Sequence, residues 1–242
     1  RRQRQMCIRD RNKKPTGRTM KRNDWCLKDG EYHLTVLGVV ARPDGTFLIT
    51  KRVMTKAWAP GWWEVSGGAA QAGEESYEAV LREVKEETGY TLTSYRFRGI
   101  VTFVSGNGVT EYMHLFTADE FEGKSIACDE GELEWVKKED VLKLNIWEGD
   151  RIFLRLLADE EPFFSLKLVY DGHDTLVSAV LNGKPMELFD ILNPDGSKTG
   201  IVRERVVAHR EGSLHATVHM WIVRPNEKSG YDVLLQKRSQ TK

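Results

Sequence analysis

Three glutamates, Glu83, Glu86 and Glu87, lie three and four residues apart in "EESYEAVLREVKEETGY", a short way behind the pair Gly67-Gly68. On a helix advancing about 100° per residue, Glu83 faces both Glu86 and Glu87. Like charges at that spacing destabilise a helix by roughly 0.2–0.5 kcal/mol per pair, so something should neutralise them. A hard divalent cation prefers carboxylate oxygens, and Mg²⁺ commonly sits between protein carboxylates and substrate phosphates. The chemistry suggested is therefore metal-bridged phosphate chemistry, with Gly67-Gly68 letting backbone approach the site closely. Taken alone, three carboxylates also fit an ordinary solvated helix.

The neighbouring residues say how such a helix would be held. Tyr77, Val80, Leu81, Val84 and Thr88 form a separate apolar stripe that would dock on a sheet, and Gly89 follows where a left-handed cap favours glycine. Upstream, "HLTVLGVVA" and "TFLITKR" read as strands of a hairpin joined by the "RPDG" turn, and "APGWWEVSGG" as a loop crossing. Downstream, "YRFRGIVTFVSG" and "TEYMHLFTADE" read as strands, "LEWVKKEDVLKL" as a strand end entering a helix, and "GDRIFLRLLADE" as a closing helix. Strands interleaved with a few helices predict an α/β sandwich of about 150 residues. "FFSLKLVYDGHDTLVSAVLNGKPM" alternates on both sides of "DGHD" and reads as a linking hairpin.

Composition limits the setting. The chain has 242 residues with Lys+Arg and Asp+Glu both at 36, so no global charge recruits nucleic acid or an anionic membrane. Cys7, Cys26 and Cys128 are far apart and odd in number, which favours reduced thiols in the cytoplasm over a disulfide framework. No apolar run approaches the roughly 20 residues of a membrane-spanning helix. The start, "RRQRQMCIRDR", is basic without an apolar stretch after it and resembles translated adapter read-through. Residues 1–11 are accordingly expected to be an artefact or a disordered tail.

The chain also repeats its own beginning. "KKPTGRTMKRNDWCLKDGEYHLTVLGVVARPDG" aligns with "GSKTGIVRERVVAHREGSLHATVHMWIVRPNEKSG", pairing Thr16 with Thr199, Gly17 with Gly200, Arg22 with Arg205, Gly30 with Gly212 and His33 with His215. Pro43 then pairs with Pro225, Lys51-Arg52 with Lys237-Arg238, and Thr55-Lys56 with Thr241-Lys242. Self-similarity of this kind predicts tandem units of one fold. The second copy stops before any acidic helix of its own.

The stretch around the glutamates resembles the Nudix box, G-x5-E-x7-R-E-U-x-E-E-x-G-U, where U is a bulky aliphatic. Gly68, Glu74, Arg82, Glu83, Val84, Glu86, Glu87 and Gly89 fall in place, and Tyr90 departs, aromatic for aliphatic. The resemblance implies a Nudix α/β/α sandwich with a mixed sheet, and a partial second copy of that fold. It also implies that Arg82, Glu83, Glu86 and Glu87 are catalytic, with Mg²⁺ or Mn²⁺ held by Glu83, Glu86, Glu87 and the backbone at Gly67. Arg82 and Glu74 would pair to orient the helix, and Glu83 is the first choice for the base. Glu132 or Glu134 would supply a further carboxylate, with Glu132 preferred as a metal ligand. Arg52 is a candidate phosphate contact, and Trp63, or Trp62, a candidate stacking surface for a base.

The expected organisation is a Nudix hydrolase domain over 12–162, a linking hairpin over 163–187 and the opening of a second domain over 188–242. The expected activity is Mg²⁺-dependent hydrolysis of the diphosphate linkage in a nucleoside diphosphate derivative or related organic diphosphate. Two alternatives stay open. "KRVMTKAWAPGWWEVSGG" and "AHREGSLH" resemble the branch that includes isopentenyl-diphosphate isomerases, whose His ligands would correspond to His209, His215 or His219. The other is a nucleotide-sensing module without catalysis. Its partners would be a small diphosphate compound, neither nucleic acid nor membrane, with the second copy available for homodimerisation.

Overall fold

The computed structural model describes residues 5–21, 24, 26–56, 59–128, 131–228 and 230–237. Residues 1–4 of the expected tail and Arg22, Arg238, Thr241 and Lys242 of the repeat lie outside the described residues. The chain opens with strands β1 (Gln5–Arg9), β2 (Pro15–Lys21), β3 (Tyr32–Val40), β4 (Thr46–Arg52), β5 (Trp63–Glu64) and β6 (Ser66–Ala69). Helix α1 (Ser76–Thr88) follows, then β7 (Thr91–Leu92), β8 (Arg96–Val104), β9 (Thr110–Ala118), β10 (Phe121–Glu122) and β11 (Gly131–Lys137). Next come α2 (Lys138–Val141), α3 (Glu148–Ala158), β12 (Phe164–Tyr170), β13 (Leu176–Leu181) and β14 (Lys184–Pro185). The last elements are β15 (Leu188–Leu192), β16 (Lys198–Glu204), α4 (Arg205–Glu211), β17 (Val223–Pro225) and β18 (Tyr231–Val233).

The main sheet runs β14-β13-β12-β8-β9-β3-β1-β2, with β6 also on β3, and is mixed because β3 with β9 and β12 with β8 are parallel pairs. Val80 and Val84 of α1 pack with Leu34, Val36 and Val40 of β3, covering one face. On the other face Ile152, Phe153, Leu156 and Leu157 of α3 pack with Val101, Leu115 and Leu166. Each helix lays an apolar stripe on a sheet; the far side of α1 carries exposed charge, whereas Arg151 and Arg155 of α3 are buried.

The turn at Asp44-Gly45 closes as expected, with Arg42 N–H bonding Thr46 O at 2.9 Å, but β3 and β4 do not form a hairpin. Only an isolated bridge joins Ala41 to Phe47. Both edges of β3 are taken, by β9 on one side and by β1 and β6 on the other, so β4 pairs instead with β11 and β5 in a separate three-stranded sheet. The alternation of apolar residues fixed strand identity, whereas competition for the edges of β3 fixed the pairing.

Two further expectations change. The described part of the 1–11 tail is a strand: Met6, Cys7 and Ile8 are buried, and β1 runs beside residues 70–72 through Cys7 N–H to Ala70 O (3.1 Å) and Ala72 N–H to Gln5 O (2.8 Å). Three consecutive apolar side chains gain enough from burial to hold this segment down. The stretch over 163–187 is a hairpin, as expected, but it extends the main sheet: β12 pairs with β8 from Phe164↔Gly99 to Val169↔Val104. Leu166, Leu168, Tyr170 and Leu176 belong to the α3 core.

The strand pair β15–β16 reproduces β1–β2 register by register. Gln5↔Lys21, Met6↔Met20, Cys7↔Thr19 and Arg9↔Pro15 are matched by Leu188↔Glu204, Phe189↔Arg203, Asp190↔Val202 and Leu192↔Lys198. Thr16 Oγ1 donates to Ile8 O at 3.2 Å, as Thr199 Oγ1 does to Ile191 O at 2.8 Å. Gly17 and Gly200 share the left-handed region at φ 77° and 85°. Ile8 is bridged to His33, and Ile191 to His215.

Candidate active site

Helix α1 begins where the Glu78 carboxylate accepts from Glu75 N–H at 2.9 Å and ends at Gly89, φ 82°. Its carboxylates face the loop that β6 opens. Arg82 organises this face: Nε and Nη2 donate to the two oxygens of Glu74 at 2.7 and 2.8 Å, Nη1 to Glu83 at 2.5 Å and Nη2 to Ala69 O at 3.1 Å. The Glu74 carboxylate in turn accepts from Gln71 N–H at 2.8 Å. Hydrogen bonding to Glu74 leads the causes that raise the Arg82 pKa, so the guanidinium is a permanent cation here. One side chain thus ties the loop after β6, the loop before α1 and the α1 surface into a single unit.

Glu83 and Glu87 reach the glycines of β6. A Cβ on Gly68 would lie 2.6 Å from the Glu83 carboxyl carbon, and Gly67 N–H donates to Glu87 at 3.2 Å. Glu86 is more exposed and stands 3.7 Å from Arg82. Among the described residues no three His, Cys, Asp or Glu side chains are gathered closely enough to hold a metal ion. The donors nevertheless suit a hard divalent cation: carboxylate oxygens only, beside backbone left uncovered by two glycines.

The remaining expected residues are dispersed. Arg52 is bound by Glu64, both carboxylate oxygens at 2.8 Å from Nη1. Trp63 packs against the α3 core, with Lys51 Nζ 5.6 Å from its ring centre. Glu132 and Glu134 are exposed on β11, whereas Leu133 and Trp135 between them pack into the α1 cluster. Side chains alternate along a strand, so the two glutamates face away from that cluster. His215 stacks on Phe189 and on His209, with ring centres 4.3 and 5.2 Å away, and His209 is tilted against Phe189.

A second group, of which the sequence reading named Trp62 but not Trp147, Asp150 or Tyr170, lies at the start of α3. Trp62 packs on Trp147 with ring centres 4.6 Å apart, and Trp147 meets Tyr170 edge-on at 6.0 Å. Tyr170 Oη accepts from Gly149 N–H at 2.7 Å. Beside them Asp150 has its pKa pushed up to about 7, by burial first and then by Glu64, with Arg151 opposing. In "IWEGDRIF" Asp150 looks like one more acid in a first helical turn, and only a cluster of Trp147 and Asp150 with distant Trp62 and Glu64 marks it.

A family model, the NUDIX domain, matches residues 31–157. An uncharacterised Nudix hydrolase of Bacillus subtilis is 35% identical over 123 residues, 49% of this chain and 78% of that protein. The oxidized purine nucleoside triphosphate hydrolase of Danio rerio is 29% identical over 151 residues, 62% of this chain and 94% of that protein. Among solved structures, a MutT protein of Bacillus halodurans superposes with a TM-score of 0.57 at 28% identity, covering 63% of this chain and 99% of that one.

Proposed function

The chain belongs to the Nudix hydrolases, enzymes that act on phosphoanhydride bonds, and from that premise we propose that it cleaves a nucleoside triphosphate to the monophosphate and pyrophosphate. The observation that carries this reading is the Arg82 knot, which presses the Glu83 carboxylate against the backbone of Gly68. Glu83, Glu86 and Glu87, with the Gly67 carbonyl, would hold Mg²⁺ or Mn²⁺, which when bound offsets charge on the phosphate oxygens. Glu83 accepts the proton of the attacking water. Arg82 keeps that carboxylate in place.

The base is assigned to the aromatic group at the start of α3. The indoles of Trp62 and Trp147 offer flat apolar surface, and Asp150, titrating near neutral pH, offers a proton or a lone pair to the edge of a base. A purine is the first candidate, given the name of the Danio rerio relative. Arg52 serves this group indirectly, by holding Glu64. Intact box carboxylates favour hydrolysis over the isomerase and over a pure sensor, and the free cysteines suit a cytoplasmic setting. The test is a panel of purine and pyrimidine triphosphates, ADP-ribose and isopentenyl diphosphate with Mg²⁺. Pyrophosphate release restricted to triphosphates is expected, and cleavage of ADP-ribose alone or isomerisation would overturn the assignment.

We also infer that residues 188–237 open a second domain of the same fold. The support is the shared register of the two hairpins, with the same Thr hydrogen bonds and the same positive-φ glycines.

A further inference from the structure

The segment that repeats the chain's opening is bound to the catalytic domain by charge. Arg203 of β16 grips Glu148 at the first position of α3, Nε to Oε2 at 2.9 Å and Nη2 to Oε1 at 2.7 Å. Its Nη1 also reaches Glu211 at 2.5 Å and Ser213 Oγ at 3.0 Å. Arg151 closes the ring, donating to Glu211 at 2.9 Å, to Glu148 at 3.2 Å and to Leu144 O at 2.8 Å. All four charged side chains are largely buried, between 9% and 17% exposed, so losing one would leave the others poorly compensated.

Glu148 and Arg151 are one turn apart and share a face of α3, whereas Asp150, about 200° round from Glu148, points to the other side. On that side lie Trp147, Tyr170 and Glu64. Arg210 holds Asp159 at the far end of the helix through bonds of 2.9 and 3.0 Å, so the clasp runs the length of α3, and its Arg203 end lies at the turn that carries Asp150. We propose that Arg203 is a positioning residue of the active site: by joining Glu148 on one face of α3 to Glu211 of α4, it fixes Asp150 and Trp147 on the other face. The repeated segment thereby acts on nucleotide recognition without touching nucleotide. This rests on the assignment of the base to Asp150 and Trp147.

The test uses the full chain and two readouts. Arg203→Ala is expected to speed amide exchange at Gly149, Asp150 and Arg151 by about tenfold or more while amides of α1 are unchanged. It is also expected to raise KM for dGTP about tenfold with kcat within about twofold, and Arg203→Lys, which keeps the charge but loses the fork, to fall between. Should Arg203→Ala not fold, Arg203→Lys carries the same comparison with a smaller shift. Unchanged exchange in the first turn of α3, or a fall in kcat at unchanged KM, overturns the proposal. Asp150→Asn separates the two readings: an unchanged KM for dGTP there removes the base assignment, while the exchange result still judges Arg203.

Discussion

Arg82, rather than the three glutamates, gives the site its shape, because it bonds Glu74, Glu83 and the β6 backbone at Ala69. Gly68 completes the fit. Gly68→Ala would place a methyl group 2.6 Å from the Glu83 carboxyl carbon, and turnover should fall by about a hundredfold, since small displacements of catalytic groups are costly. Circular dichroism and the melting transition should stay close to wild type, which distinguishes a displaced carboxylate from a lost fold. Asp150 predicts a pH effect. Its folded pKa, about 7, lies above the ordinary carboxylate value, so the folded state binds more protons and the stability of the wild type falls as pH rises from about 4 to 7. Asp150→Asn should flatten that part of the profile in urea titrations at successive pH values, and an unchanged slope would place Asp150 in water. The shared surface of Arg82, Glu83, Glu86 and Glu87 was legible because their spacing on one helix is itself the signal. Asp150 was not, since its raised pKa comes from burial and then from Glu64, a residue distant in sequence that the fold brings close.

Helix α1 was readable from its apolar stripe and its glycine cap, both local properties. The pairing of β4 was not, because it depends on which neighbours already occupy β3. The position of β12 likewise depends on a distant strand, β8, with which it pairs in parallel. This sets the domain's lower limit. A chain ending at residue 162 would lack β12 and β13 and expose Val101, Ile152 and Leu156 of the α3 core. Such a chain should be insoluble or molten, with loss of near-ultraviolet circular dichroism, whereas a chain ending at 187 should keep a cooperative melt. Equal behaviour of the two would mean that β12 contributes nothing to the core.

At the scale of the whole molecule, the chain carries a Nudix domain, matched over residues 31–157, and a hairpin, β15–β16, whose register matches that of β1–β2. The likeness of the β15–β16 hairpin to β1–β2 was legible as paired Thr and Gly residues, but the docking of β16 and α4 on α3 was not, because it runs through arginines and glutamates that read as ordinary surface charge. If the hairpins are equivalent, replacing residues 5–21 with 188–204 should give a folded chain that retains activity within about tenfold, allowing for repacking of Met6, Ile8 and Met20. Loss of the fold would reduce the likeness to one of local turns. The central claim is hydrolysis of a triphosphate by the Arg82–Glu83 unit, and pyrophosphate release from dGTP with Mg²⁺ by the full chain and its Glu83→Gln form tests it most directly. The account predicts steady release by the wild type and a loss of about a hundredfold or more in the variant, with binding of dGTP retained. Equal release by both, or none by the wild type with any triphosphate, would contradict it.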